Sequence, residues 1–167
     1  MAHWVYDIAK QRTDATFELV DLKDFHLPLL DEPIPASAGK YSQPHTRTWA
    51  EKIGSFDAFV FVTPEYNHGI PAGLKNAIDF LYAEWNNKAA GFVSSGSAGG
   101  VRAVEQLRGV MAEMQVATVR AQAFFSLFSD FENYRTFKPA DQKAAQLKTM
   151  LDQLVAWGGA LKSLRTT

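Results

Sequence analysis

Two apolar runs limit what this chain can become. DAFVFVT (57–63) and AAGFVSSG (89–96) are continuous rather than alternating, the pattern of strands buried on both faces. Each is followed by a bend of turn residues and then by a helical stretch. Strands that alternate with helices predict a parallel sheet with helices on both faces. The remaining segments extend this pattern. AHWVYDIAKQR (2–12) carries Trp4, Val5, Ile8 and Ala9 at helical spacing, so the sequence starts inside a helix, and TFELVDL (16–22) reads as a strand. Residues 46–54 and 72–83 read as helices, 97–114 as a glycine-rich turn running into an amphipathic helix, and 115–125 as a further strand. An irregular segment reaches Pro139, which is placed to start the last helix, with an apolar stripe of Leu147, Met150, Leu151, Leu154 and Trp157. Residues 23–45 hold Pro28, Pro33, Pro35, Gly39 and Pro44 and read as a long surface excursion.

The 167 residues predict one domain, 1–167, and 47% hydrophobic with 21% charged residues argues against general disorder. The formal net charge is −1 and no Lys/Arg cluster stands out, so neither nucleic acid nor an anionic membrane is an expected partner. No cysteine is present, which removes thiolate chemistry and disulfides and fits a reducing cytoplasm. No apolar run approaches the roughly 20 residues of a membrane helix, and the N-terminus lacks a signal peptide's layout. A cytoplasmic protein is expected.

In an open parallel sheet, ligands bind beyond the carboxyl ends of the strands. Two loops fall there. The first, Thr63–Pro71, contains Pro64, which cannot donate to a ladder and ends its strand, Gly69, which permits a positive φ, and Pro71 at the start of the next helix. Its backbone N–H groups are predicted to face a ligand, Tyr66 offers a ring to pack against a flat molecule, and Asn67 offers both donor and acceptor. The alternative is a rigid turn with Glu65 and His68 as solvated decoration. The second loop, Ser94–Gly100 (SSGSAGG), lets backbone approach a ligand closely, although it matches neither G-x-G-x-x-G nor a P-loop. Arg102, just inside the helix, is placed either to reach a ligand or a nicotinamide donor's phosphates, or to pair with Glu105 on the surface. Lys75 and Asp79, four apart, read as a pair along one helix face. His3, His26 and His45 are scattered, and His68 beside Glu65 has no third ligand at convincing spacing, so no metal is expected.

TPEYNHGIPAGLKNAIDFL followed by GFVSSGSAGG resembles the NAD(P)H-dependent FMN reductase family, and the likeness extends to LPLLDEP (27–33) and the closing helix. The resemblance implies an α/β fold, a flavodoxin-like three-layer sandwich with a parallel sheet. It implies FMN as cofactor, with Pro64, Glu65, Tyr66, Asn67 and His68 on one side of the isoalloxazine and Ser95, Gly96, Ser97, Gly99 and Gly100 on the other. NADPH or NADH would be the donor, a flavin or quinone the acceptor, and no catalytic side chain is expected, because the cofactor carries the electron chemistry. A homodimer or homotetramer is also implied.

Members of this family begin with a short strand and a Ser/Thr/Arg-rich phosphate loop ahead of the first helix. Neither is found in this sequence, so the expectation is a flavodoxin-like sheet lacking its first strand and a weakened FMN phosphate anchor. Two readings follow. Either the native protein carries that strand and loop upstream of Met1, or a short, flavin-poor form serves as a binding or scaffolding subunit.

Overall fold

The structure is a computed structural model that describes residues 1–165. Its centre is β2 (Lys88–Gly96), in which all nine residues are buried. On one edge β2 pairs in parallel with β1 (Ala58–Pro64), from Ala58 opposite Ala89 to Pro64 opposite Ser95. On the other it pairs in parallel with β3 (Val116–Ser126), giving the order β1-β2-β3 among the described residues. The continuous apolar run at 89–96 is what a strand with a neighbour on both edges and helices on both faces requires.

Helices cover the two faces. Trp49 and Ile53 of α2 (Pro44–Gly54), Ala77 and Ile78 of α3 (Ala72–Asp79), and Val104, Leu107 and Met111 of α4 (Val101–Glu113) pack with Phe61 and Phe92 on one side. Val5 and Ala9 of α1 (Ala2–Ala9) and Leu147, Met150, Leu151 and Leu154 of α5 (Gln142–Leu161) pack with Ala89, Val93, Val119, Ala123 and Phe125 on the other. Phe92 and Val93 enter opposite cores, as the two-residue period of a strand demands. Gly91 faces α5 so closely that a Cβ there would lie 2.1 Å from the Met150 sulfur. The result is the three-layer α/β sandwich expected.

Some expectations need correction. Residues 16–21 are not a strand: they pair with no described strand, and Leu22–Phe25 forms a short 3-10 turn. A strand exists through its ladder, which needs a neighbour at about 4.8 Å, and no described strand lies beside this segment. Side chains anchor it instead: Phe17 enters the core under α1 and α5, Val20 and Leu22 the opposite core, and Glu18 accepts from Lys52 at 2.7 Å. For the same reason β1 is an edge strand, with only Phe61 and Thr63 fully buried, not a strand covered on all sides. Trp157 is 48% exposed and does not join the α5 stripe, whereas Trp49 and Trp85 are core residues. The helix after Thr63–Pro71 stops at Asp79 rather than near residue 83, and the last helix begins at Gln142. The irregular stretch contains a small antiparallel hairpin, β4 (Phe131–Glu132) and β5 (Thr136–Phe137).

β3 carries a bulge, since Ala90 and Phe92 oppose Thr118 and Gln122. Its displaced backbone groups are satisfied from both layers. Arg108 of α4 donates to the Val119 carbonyl at 2.8 Å, and the Ala121 N–H donates to Gln153 of α5 at 2.9 Å. The long excursion 23–43 is also tied down. Asn76 of α3 donates to the Pro28 carbonyl (2.7 Å) and accepts from the Leu30 N–H (3.0 Å), acting as a short piece of backbone. Glu32 accepts from the N–H groups of Ser42 and Gln43 ahead of α2. Burial alone would raise its pKa, but these bonds outweigh it and hold the carboxyl at about 2.

Candidate functional site

The loops after β1 and β2 emerge side by side at the carboxyl edge of the sheet, because their strands are paired to the last residue, Pro64 opposite Ser95. The Glu65 N–H continues the contact, donating to the Ser95 carbonyl at 2.8 Å. Beyond it the chain reverses. Tyr66 and Gly69 exchange two backbone bonds of 3.0 Å, with Asn67 (φ 50°) and His68 (φ 68°) both in the left-handed region, as a two-residue type I′ turn requires. Asn and His are among the side chains that best tolerate that region. The positive φ therefore falls on Asn67 and His68 and not on Gly69. Gly69 is small for another reason: a Cβ there would stand 2.8 Å from Gln106 Oε1. Pro71 precedes α3 as expected.

The I′ turn makes its own two bonds with the N–H groups of Tyr66 and Gly69, leaving those of Asn67 and His68 without a partner among the described residues at an exposed tip. The Tyr66 ring beside them is 63% exposed. In the second loop, Gly99 and Gly100 have φ near +73° and are locked by their surroundings. A Cβ on Gly100 would meet the Ser95 backbone at 2.8 Å, and one on Gly99 the Phe124 ring at 2.8 Å. Gly96 sits against the Glu65 Cβ, and the Ser94 hydroxyl donates to the Gly99 carbonyl at 2.7 Å. These glycines thus serve the packing of loop on loop. Ser97 and Ala98 form the exposed part of the turn, and neither N–H is bonded to any of the described residues. The hairpin after β3 adds a third border, through the Leu127 N–H to the Gly96 carbonyl (3.1 Å).

Glu65 is neither solvated nor available at the surface: its side chain is 4% exposed. The carboxylate accepts from the N–H of Arg102 (3.1 Å) and of Ala103 (3.3 Å) in the first turn of α4, and from Arg102 Nε at 2.6 Å, with Nη2 also paired to it. Gly100 offers no side-chain cap, so a glutamate 37 residues upstream caps the helix. Burial would raise the Glu65 pKa, but the Arg102 bond and the two N–H donors win and hold it below the usual carboxylate range. Arg102 therefore pairs with Glu65 and not with Glu105, which faces Arg108 at 3.6 Å. Its Nη1 lies 2.7 Å from His68 Nε2, and since a guanidinium only donates, Nε2 accepts and the imidazole proton sits on Nδ1. Gln106 completes the seam by donating to the His68 carbonyl at 2.9 Å. Sequence spacing gave no sign of this seam, because its partners come from the first loop and from α4, more than 30 residues apart. The Lys75–Asp79 pair does form as expected, at 2.7 Å.

The arrangement is a rigid shelf whose offered groups are unbonded backbone N–H donors at Asn67, His68, Ser97 and Ala98 and one exposed phenol ring. Such donors can serve a ligand that carries acceptor atoms along its edge.

The profile of the NADPH-dependent FMN reductase family matches residues 1–130. An NAD(P)H-dependent FMN reductase of Schizosaccharomyces pombe is 47% identical over 112 residues, covering 66% of this chain and 56% of that protein. Another, from Nectria, is 38% identical over 136 residues, covering 76% of this chain and 68% of its own length. Among solved structures, a flavoenzyme NAD(P)H:(acceptor) oxidoreductase of Paracoccus denitrificans superposes with a TM-score of 0.72 at 20% identity, over 96% of this chain and 90% of the other, a likeness of fold. The chain is a member of the NADPH-dependent FMN reductase family, with its flavodoxin-like fold.

Proposed function

We propose that the protein is an NAD(P)H-dependent oxidoreductase that holds FMN on the shelf formed by Pro64–His68 and by Ser95, Gly96, Ser97, Gly99 and Gly100. When bound, FMN supplies hydride transfer from NADPH or NADH to a flavin or quinone acceptor. The observation that carries this reading is the pair of N–H groups at Asn67 and His68 that no described residue bonds, held by a I′ turn that Gln106 of α4 clamps at the His68 carbonyl. Donors fixed before the ligand arrives need no reorganisation when charge develops on a bound ring. Tyr66 gives an apolar surface for a ring to lie against. Ser97 and Ala98 offer a second row of donors, while Gly96, Gly99 and Gly100 keep that row in place.

Quinone reductases of Pseudomonas putida and Escherichia coli, each 31% identical to this chain over the matched region, support a quinone-type acceptor. Exposed Phe128 and Tyr134 beside the second loop support assembly into a homodimer or homotetramer. The absence of cysteine, and of any described helix long and apolar enough to cross a membrane, supports a cytoplasmic setting. Steady-state assays with FMN, NADPH or NADH, and a benzoquinone test the reading. FMN-dependent oxidation of the nicotinamide is expected; a folded protein with no such activity would favour a flavin-poor binding subunit.

A further inference from the structure

Glu65 stands in the middle of the proposed binding loop, yet its side chain is 4% exposed and its carboxylate is engaged with α4 and Arg102. A side chain so placed cannot act by touching a ligand, whatever the Glu65 backbone does. It does two other things. It fixes the β1 loop, through its backbone bond to Ser95 and its side-chain bonds to the first turn of α4, so that the I′ turn beyond it has one position relative to the second loop. It also neutralises a guanidinium that lies within hydrogen-bond distance of His68, whose N–H is one of the donors offered to the ring. Charge-assisted bonds to backbone N–H are among the stronger ones in a protein. An uncompensated cation beside a partly buried ring, on the other hand, favours the ring's more negatively charged state.

Building on the flavin reading above, we propose that Glu65 and Arg102 are a positioning pair, an electroneutral latch that sets the Asn67–His68 donors and keeps a net positive charge off the flavin wall. In Glu65→Gln one acceptor oxygen remains for the helix N–H groups, but the negative charge is lost and the seam loosens. FMN binding is then expected to weaken about tenfold, the factor that about 1.4 kcal/mol represents. The midpoint potential of the bound FMN rises, because Arg102 is left unbalanced. In Glu65→Gln/Arg102→Gln the affinity stays weak while the potential returns towards that of the wild type. A carboxylate that merely stabilised the fold would move the affinity and leave the potential alone.

The experiment measures FMN affinity by fluorescence quenching and midpoint potential by dye equilibration for the wild type, both variants and Arg102→Gln. Amide exchange at Arg102 and Ala103 is followed in the flavin-free proteins. Faster exchange at both amides in Glu65→Gln, with the potential moving up and then back, is the expected result. Unchanged exchange overturns the latch whatever the flavin does, and an unchanged potential in Glu65→Gln overturns the charge balance. A wild type that takes up no FMN overturns the flavin reading and with it the charge-balance half of the proposal, while the exchange comparison still decides the mechanical half.

Discussion

Gly100→Ala is the substitution whose effect follows most directly from the geometry of the second loop. Gly100 has φ +74°, and an added Cβ would stand 2.8 Å from the Ser94 Cβ, the Ser95 nitrogen and the Ser95 oxygen. The left-handed conformation costs an L-residue about 1–2 kcal/mol, and forcing a methyl into packed surroundings costs about 1–3 kcal/mol more. Two of the three obstructing atoms are backbone atoms of β2, the most buried strand, so relief by a side-chain rotation is not open. The sum is about 2–5 kcal/mol, and at about 2–4 °C per kcal/mol for a chain of this size the melting temperature falls by roughly 5–20 °C. Thermal unfolding followed by circular dichroism measures this directly. The matched control is Gly109→Ala. Gly109 lies inside α4 with nothing within 4 Å of the new methyl, so the same chemical change there stabilises by about 0.5–1 kcal/mol. If Gly100→Ala melts within about 2 °C of the wild type, the tight turn described here is wrong.

Asn76→Ala removes both bonds that hold Pro28 and Leu30 against α3. At about 1 kcal/mol each they give a loss of about 2 kcal/mol and faster proteolysis within residues 28–35, while unchanged cleavage kinetics would count against the clamp. Lys88 is 3% exposed and donates to the Ile53 and Gly54 carbonyls at the end of α2; burial first, and then the nearby Arg165 charge, push its pKa down to about 8 from 10.5. Between those values the unfolded chain binds the extra proton, so this residue's contribution raises stability from about pH 8 to about pH 10.5 and is lost as pH falls back through about 8. The wild-type minus Lys88→Met difference in urea midpoint should therefore climb over that window; a flat difference refutes the depressed pKa.

The sheet was legible where strands have their neighbours within the chain. The runs at 57–63, 89–96 and 115–125 became β1, β2 and β3 within a residue or so; for β2 the reason is that continuous apolarity is what burial between two helical layers selects. TFELVDL has equal apolar character and is no strand, since apolarity reports burial of side chains and says nothing of a partner for the backbone. The two loops were legible from Pro64, Pro71 and the glycines, but the details were not. Gly69 was expected to hold the positive φ that Asn67 and His68 hold, since hairpin register, not glycine's freedom, decides which two residues occupy the corner. The Glu65–Arg102 seam joins residues 37 apart, outside the reach of any helical or strand period. Trp157 keeps the α5 spacing yet lies exposed, because the buried face of the helix passes at that point through Gly158, where an added Cβ would meet the Ala58 Cβ of β1 at 3.0 Å.

The central claim is that the shelf of Asn67, His68, Ser97 and Ala98 holds a flavin ring. An FMN titration of the purified 167-residue protein, following quenching of flavin fluorescence, tests it most directly. Saturable, one-to-one binding at micromolar concentration or below is the expected result. A protein folded by circular dichroism that leaves FMN fluorescence unquenched would contradict it.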